Sequence, residues 1–278
     1  DTLGDIPFIF EMGEASAEMA AYGVSSSTWN IVSPIHAGLH TENSRAIREG
    51  VYNLAASSVA MVHPEEADLE AMGLAEPYVV VEFNREKEEF ILTIGDQDGE
   101  GNRYVMVNGK DVVYTVAESN LPWMSVQLNK MLSFLIYTPH IDKVSQIDVT
   151  VDGKSYSFQL FLGEPEEEGE EPKVETVSYN GQSIDMDHFR KLYQYFLSAP
   201  AEEMNLDHQT GPKVASITYH FFDSAKTADT MDFYQISDRR CALGLNGNAD
   251  FTARAMYLTR LAENIERVIG GEASDLDY

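Results

Sequence analysis

The chain holds a single cysteine, Cys241. One thiol excludes an internal disulfide framework and any zinc site built from several thiolates. It sits in the strand-like run Asp238-Arg239-Arg240-Cys241-Ala242-Leu243, where it reads as a small buried hydrophobe. Basic residues are also scarce: 19 Lys and Arg face 46 Asp and Glu, a net charge of −27. That charge repels phosphate backbones, so nucleic acid is a poor partner, and it opposes docking on anionic membrane surfaces. Its ordinary consequence is solubility, with a basic partner or bulk cation binding as alternatives. No run of 18 apolar residues occurs, so no helix is expected to span a bilayer. The sequence shows no signal-peptide pattern and begins at Asp1 rather than Met. That is the opening expected of a mature or trimmed product whose leader or anchor has been removed.

Recognisable catalytic patterns are missing as well. No GxSxG or SxxK nucleophile motif appears. Gly109-Lys110 lacks the glycine and hydroxyl neighbours of a phosphate-binding loop, and Gly99-Glu100-Gly101 lacks the third glycine of a dinucleotide fingerprint. His36 and His40 have i,i+4 spacing, but Pro34 and Gly38 interrupt the stretch, so loop histidines are expected rather than metal ligands. Asp96-Gln97-Asp98-Gly99-Glu100-Gly101-Asn102 opens like a calcium loop, yet the twelfth position is Val107 where a bidentate glutamate is needed. It reads as a polar hairpin loop. Asp187-His188 are adjacent on a helix and point in different directions, which disfavours a proton-shuttling pair. Trp29, Trp123, Tyr193 and Tyr195 suggest stacking platforms for a glycan, but the positions of Trp123 and Tyr193 favour core packing.

What is present is a core-forming chain. Hydrophobic residues make up 44% of 278, enough to exclude wholesale disorder and to fill one large domain or two ordinary ones. Residues 6–10 read as a short strand and Ala15 to Tyr22 as a helical turn or two ended by Gly23. Trp29–Val32 alternates like a strand. A helix is expected from Thr41 to Met61, with Ile47, Val51, Leu54 and Ser58 on one face. A short helix at Asp68–Met72 is followed by strands near 78–83, 89–94, 103–107 and 111–116, with Asn108-Gly109 as a hairpin turn. Leu121 to Tyr137 reads as a helix begun by Pro122. Strands follow near 146–151, 155–160 and 174–179, turned by Asp152-Gly153 and Asn180-Gly181. Then come a helix at 185–198, strands near 214–222, 230–236 and 241–245, and a last helix over 250–269. Each half thus reads as extended chain, helix, antiparallel strands, helix, which suggests tandem duplication. The fold class is α+β, antiparallel sheets flanked by helices, with modules at 1–143 and 144–278. The insert 164–172 puts six carboxylates in nine residues, reads as a mobile hairpin loop and leaves a calcium or basic-partner role as the alternative.

Residues Leu69 to Phe161 carry a resemblance. Leu69-Glu70-Ala71-Met72-Gly73-Leu74-Ala75-Glu76-Pro77 precedes an alternating strand. Then come Phe90-Ile91-Leu92-Thr93-Ile94-Gly95, Arg103-Tyr104-Val105-Met106-Val107 and Val113-Tyr114-Thr115-Val116. This order resembles the domain-of-unknown-function family 4340 (DUF4340), with its YGL-x-x-P element, its strand ending IG, and its YV and VY-x-V strands. Met72 stands where the family usually has an aromatic residue. The resemblance covers about a third of the chain. It implies a bacterial, extracytoplasmic companion of ABC-type transport or gliding-associated systems, often with an N-terminal membrane segment. It transfers no catalytic residues, and its glycines and prolines read as strand ends and turns. The expectation is therefore a non-catalytic binding or scaffold domain, with no catalytic, cofactor or metal residues and no cofactor. The expected partner is a protein, with membrane transporter subunits as the candidate, and the domain would be anchored to the membrane through a missing N-terminal segment without inserting directly itself. The alternatives are a module for a glycan, peptide or cation and, less favoured, a carboxylate-based hydrolase.

Overall fold

The computed structural model describes residues 8–12, 29–85, 88–165, 169–199 and 201–275. They form an α+β fold of antiparallel sheets and short helices. The described chain packs as two compact units, one of residues 41–130 and one of residues 8–40 together with 131–275. The division seen here follows from backbone pairing on either side of the 41–130 stretch: His40 N donates to Met131 O (2.7 Å) and Ser133 N donates to Gly38 O (2.8 Å). Among the described residues no helix is long and apolar enough to cross a membrane.

The described residues open with a small sheet, β1 (Ile9–Met12), β2 (Trp29–Ser33) and β3 (Ala37–Gly38). Ile31 and Ile35 are buried, and Trp29 meets Phe10 edge to face at 5.6 Å. The helical turns expected at Ala15–Tyr22 lie outside the described residues.

Within 41–130, α1 (Thr41–Glu49) is much shorter than the helix expected to run to Met61. Gly50 packs tightly against Pro122, the chain passes through a 3-10 turn, and residues 58–62 become strand β4 (Ser58–Val62). Apolar residues at helical spacing lost to pairing with a distant strand, a tertiary override of a local pattern. After α2 (Glu66–Ala71) come β5 (Val79–Arg85), β6 (Glu88–Gln97), β7 (Asn102–Val107) and β8 (Val112–Ala117). The sheet order is β4-β8-β7-β6-β5, an antiparallel meander with β4 added at one edge. Leu92, Ile94 and Val105 share one buried face, and Val113 is buried as well. Trp123 joins them, meeting Phe83 at 5.7 Å and donating its indole N–H to Ile47 O at 3.1 Å. The helix expected over Leu121–Tyr137 is also corrected. Only Pro122–Ser125 (3-10) and α3 (Leu128–Met131) coil, and the remainder is not helical. Its end is held out by side chains: Tyr193 donates to Pro139 O (2.6 Å) and Tyr137 donates to the Asp229 carboxylate (2.5 Å).

The second unit is built on nine antiparallel strands. These are β9 (Val144–Val151), β10 (Lys154–Leu162), β11 (Val174–Tyr179), β12 (Gln182–Ile184), β13 (Glu203–Met204), β14 (Lys213–Phe221), β15 (Asp229–Gln235), β16 (Arg240–Leu245) and β17 (Phe251–Arg254). Their order is β12-β11-β10-β9-β14-β15-β16-β17-β13. Strict alternation makes the sheet two-faced. Ile147, Val149, Val151, Phe158, Ile217 and Tyr219 are buried, while Asp148, Thr150, Ser157 and Thr218 between them are more exposed. The helices α4 (Met186–Leu197) and α5 (Met256–Ile269) supply the aromatic complement. Phe158 packs on Phe189 at 5.3 Å, and Tyr195 stacks on Tyr257 at 5.0 Å with rings 3° from parallel. Each of those two tyrosines donates its hydroxyl to the other's backbone carbonyl (3.2 and 3.1 Å), so both polar ends are satisfied inside the core. The last helix was expected from Asp250. Instead Phe251–Arg254 pair with β16, and α5 starts at Met256.

Candidate functional site

The residues that carry the family resemblance have structural work. Gly73 has φ +67°, and a Cβ there would lie 2.6 Å from the Asp96 carboxyl carbon. A Cβ on Gly95 would collide with the Met72 carbonyl, which accepts from Asp96 N at 2.9 Å. The two glycines thus let the turn after α2 lie flat on the end of β6. Beside them Arg103 stacks over the Tyr78 ring at 4.8 Å and donates to Glu118 (2.8 Å) and to Gly95 O (3.2 Å). The hydrogen bonds from Gln97 and Arg103 hold Glu118 below the usual carboxylate range.

The groups that sequence reasoning tested for chemistry fall in separate places. In the calcium-like loop, Asp98 accepts from Glu100 N (2.7 Å), Asn102 N (3.1 Å) and the Asn102 side-chain amide (2.7 Å). Its oxygens are spent on closing its own hairpin, and the Asn102 amide bond leads in lowering its pKa. His36 and His40 lie on extended chain and not on one helix face. His36 instead bonds through its backbone to Asp250, a carboxyl that burial pushes up despite the nearby charges of His36 and His208. His188 Nδ1 lies 3.9 Å from Asp185, the N-cap of α4, and Asp187 ion-pairs with Arg190 (3.5 Å). Trp123, Tyr193 and Tyr195 are buried, as core packing requires. Cys241 is buried in β16, its thiol pushed up to about 11 by burial, with Sγ 3.7 Å from Ala253 O.

Sequence reasoning missed one polar cluster, because it is assembled from three strands. On the open face of the nine-stranded sheet, Asp148 accepts from Gln146 (2.8 and 3.0 Å), His220 (2.8 Å) and Ser157. Burial raises this carboxyl, but the three donors outweigh it and leave it below the ordinary value. The aspartate stands between serine and histidine. A nucleophilic relay needs the histidine in the middle, to take the serine's proton. The period-2 register of β9, β10 and β14 is the signal that could have grouped these residues.

A cleft of about 840 Å³ lies in the second unit between α5 and one end of the sheet. Val151, Ala215, Leu258 and Ala262 make its apolar wall, and Asp152, Lys213, Arg240 and Glu263 its polar rim. The rim cations are already engaged. Lys213 lies 2.5 Å from the buried Asp232, and Arg240 donates to Glu203 (2.8 Å) and to the Thr252 hydroxyl. A smaller hollow of about 570 Å³ adjoins it around Gln209–Pro212 and Gln235–Asp238. Apolar floor and polar rim are the makings of a binding surface.

Residues 29–205 match the family model described as Domain of unknown function (DUF4340). That span is more than half of the chain and extends the sequence resemblance in both directions. No curated protein and no solved structure matches the chain.

Proposed function

We propose a binding function for this chain, which belongs to the DUF4340 family. It serves as a non-catalytic, extracytoplasmic binding or scaffold domain of a bacterial membrane assembly, as an accessory of an ABC-type transport system. The observation that carries this reading is the cleft along α5. It is large enough to seat side chains of a partner and mixes an apolar wall with fixed ion pairs. The reading is further supported by the tested titratable groups, whose hydrogen bonds tie them into turns, caps and sheet ladders. The same cleft supports a second reading, a module for a small ligand such as a peptide or glycan.

Capture from detergent-solubilised membranes of the native bacterium, with the domain as bait, separates the two. Ala262→Arg, which fills the cleft from α5, is the matched control. Transporter subunits retained by the native domain and lost by the variant are the expected result. If both recover the same subunits, the cleft is not the contact. If neither recovers any while a known complex survives the detergent, the small-ligand reading takes precedence.

A further inference from the structure

The two larger sheets end differently. The nine-stranded sheet stops at β12 and β13, which are three and two residues long. Strands that short offer too few backbone groups to template another chain. One edge of the five-stranded sheet, β5, has seven residues but includes the exposed Glu82. Charge is a second way for an edge to refuse a strand. The opposite edge, β4, has neither protection. Its sequence Ser-Val-Ala-Met-Val holds no charge and no proline. Val59 and Val62 are 56% and 57% exposed, Ser58 and Ala60 are exposed too, and only Met61 is half-buried. β4 pairs with β8 on one side, and among the described residues no strand pairs with its other side. A register shift between Val59 and Met61 interrupts its ladder. Such a bulge increases local twist, which opposes flat stacking of many strands.

We propose that β4 is a docking edge that takes an extended apolar segment of a partner protein by strand addition. This goes beyond the cleft and does not rest on it. Backbone hydrogen bonds supply the affinity, and alternate apolar side chains over Val59 and Val62 supply the selectivity. The occupant is not a second copy, because two chains of charge −27 repel one another. The same charge selects the partner's flanks. Glu65, Glu66 and Asp68 follow β4 within a few residues, so lysines or arginines beside the apolar segment complement them.

The test titrates the whole chain with a short synthetic peptide of alternating valine and threonine that carries lysines at both ends. Saturable binding is expected, with amide exchange slowed at residues 58–62 and unchanged at β12 and β13. Val59→Lys with Val62→Lys, both on exposed positions, should leave the circular dichroism and melting curve unchanged and weaken binding about tenfold. Val59→Thr with Val62→Thr keeps the branched shape and should weaken it less. The proposal is overturned if the peptide does not bind, if it protects another strand, or if the lysine variant binds as well as the native chain. A dimer of the native chain that the lysine variant disperses also overturns it, since the edge would then serve a second copy.

Discussion

The five-stranded sheet of residues 41–130 and the nine-stranded sheet of the second unit use the same antiparallel pairing for different ends. The larger sheet is packed with aromatics. Phe158 lies at 0% exposure between Phe189 and Phe196, and Tyr195 and Tyr257 stack beneath β15. Its edges are cut short. The smaller sheet rests on aliphatic side chains around Trp123 and leaves a five-residue apolar edge open. Both units leave apolar side chains outside, Leu135 and Phe161 in the larger and Val59 and Val62 in the smaller, but Phe161 stands on the paired strand β10, whereas Val59 and Val62 stand on an edge.

The largest expected effect probes the bodies. Phe158→Ala should cost about 3–5 kcal/mol and Leu92→Ala about 2–5 kcal/mol, measured by denaturant unfolding. A Leu92 variant clearly costlier than the Phe158 variant would reverse the contrast between the cores. Next is the glycine contact of the smaller sheet. Gly95→Ala drives a methyl into the Met72 carbonyl and should cost about 1–3 kcal/mol, with amide shifts at residues 72–73 in NMR spectra. A silent variant would mean that the turn after α2 yields freely.

Acid sensitivity differs in sign between individual carboxyls. Asp250, raised by burial, is charged at high pH in both the folded and unfolded chain. As pH falls through its raised folded value, the folded chain takes up a proton that the unfolded chain takes up only near 3.8, so stability is gained across that window. Asp250→Asn should remove that gain from a stability–pH profile, and an unchanged profile would refute the assignment. Glu118 and Asp98 in the smaller unit are lowered, so the stability they add is present above their ordinary values of 4.5 and 3.8 and is lost as pH falls below them. The smallest effect is at the hairpin tip. Asp98→Ala should loosen the loop, seen as faster amide exchange at Glu100 and Asn102. Millimolar calcium should leave the native melting curve where it was; a clear upward shift would restore the metal reading.

Much of this was legible beforehand, for a physical reason. Alternation in Val144–Val151 and Lys154–Leu162 and the turns Asp152-Gly153 and Asn180-Gly181 are local signals, and the structure places strands and positive φ there. The two long helices were misread because apolar residues at helical spacing in 54–61 and 128–137 also suit a strand or an extended segment. The decision was made by partners far along the chain: Val112–Ala117 for the first, and Gly38, Tyr193 and Asp229 for the second.

The amino-acid sequence by itself determined the charge, the α+β class, most strand positions and the burial of Cys241, Trp123 and Tyr193, because each depends on composition or on neighbours a few residues away. Only the tertiary structure decided which strands became edges, which polar residues met across β9, β10 and β14, and where a cleft opened beside α5. Those outcomes depend on pairings between residues tens of positions apart, and no local period encodes them.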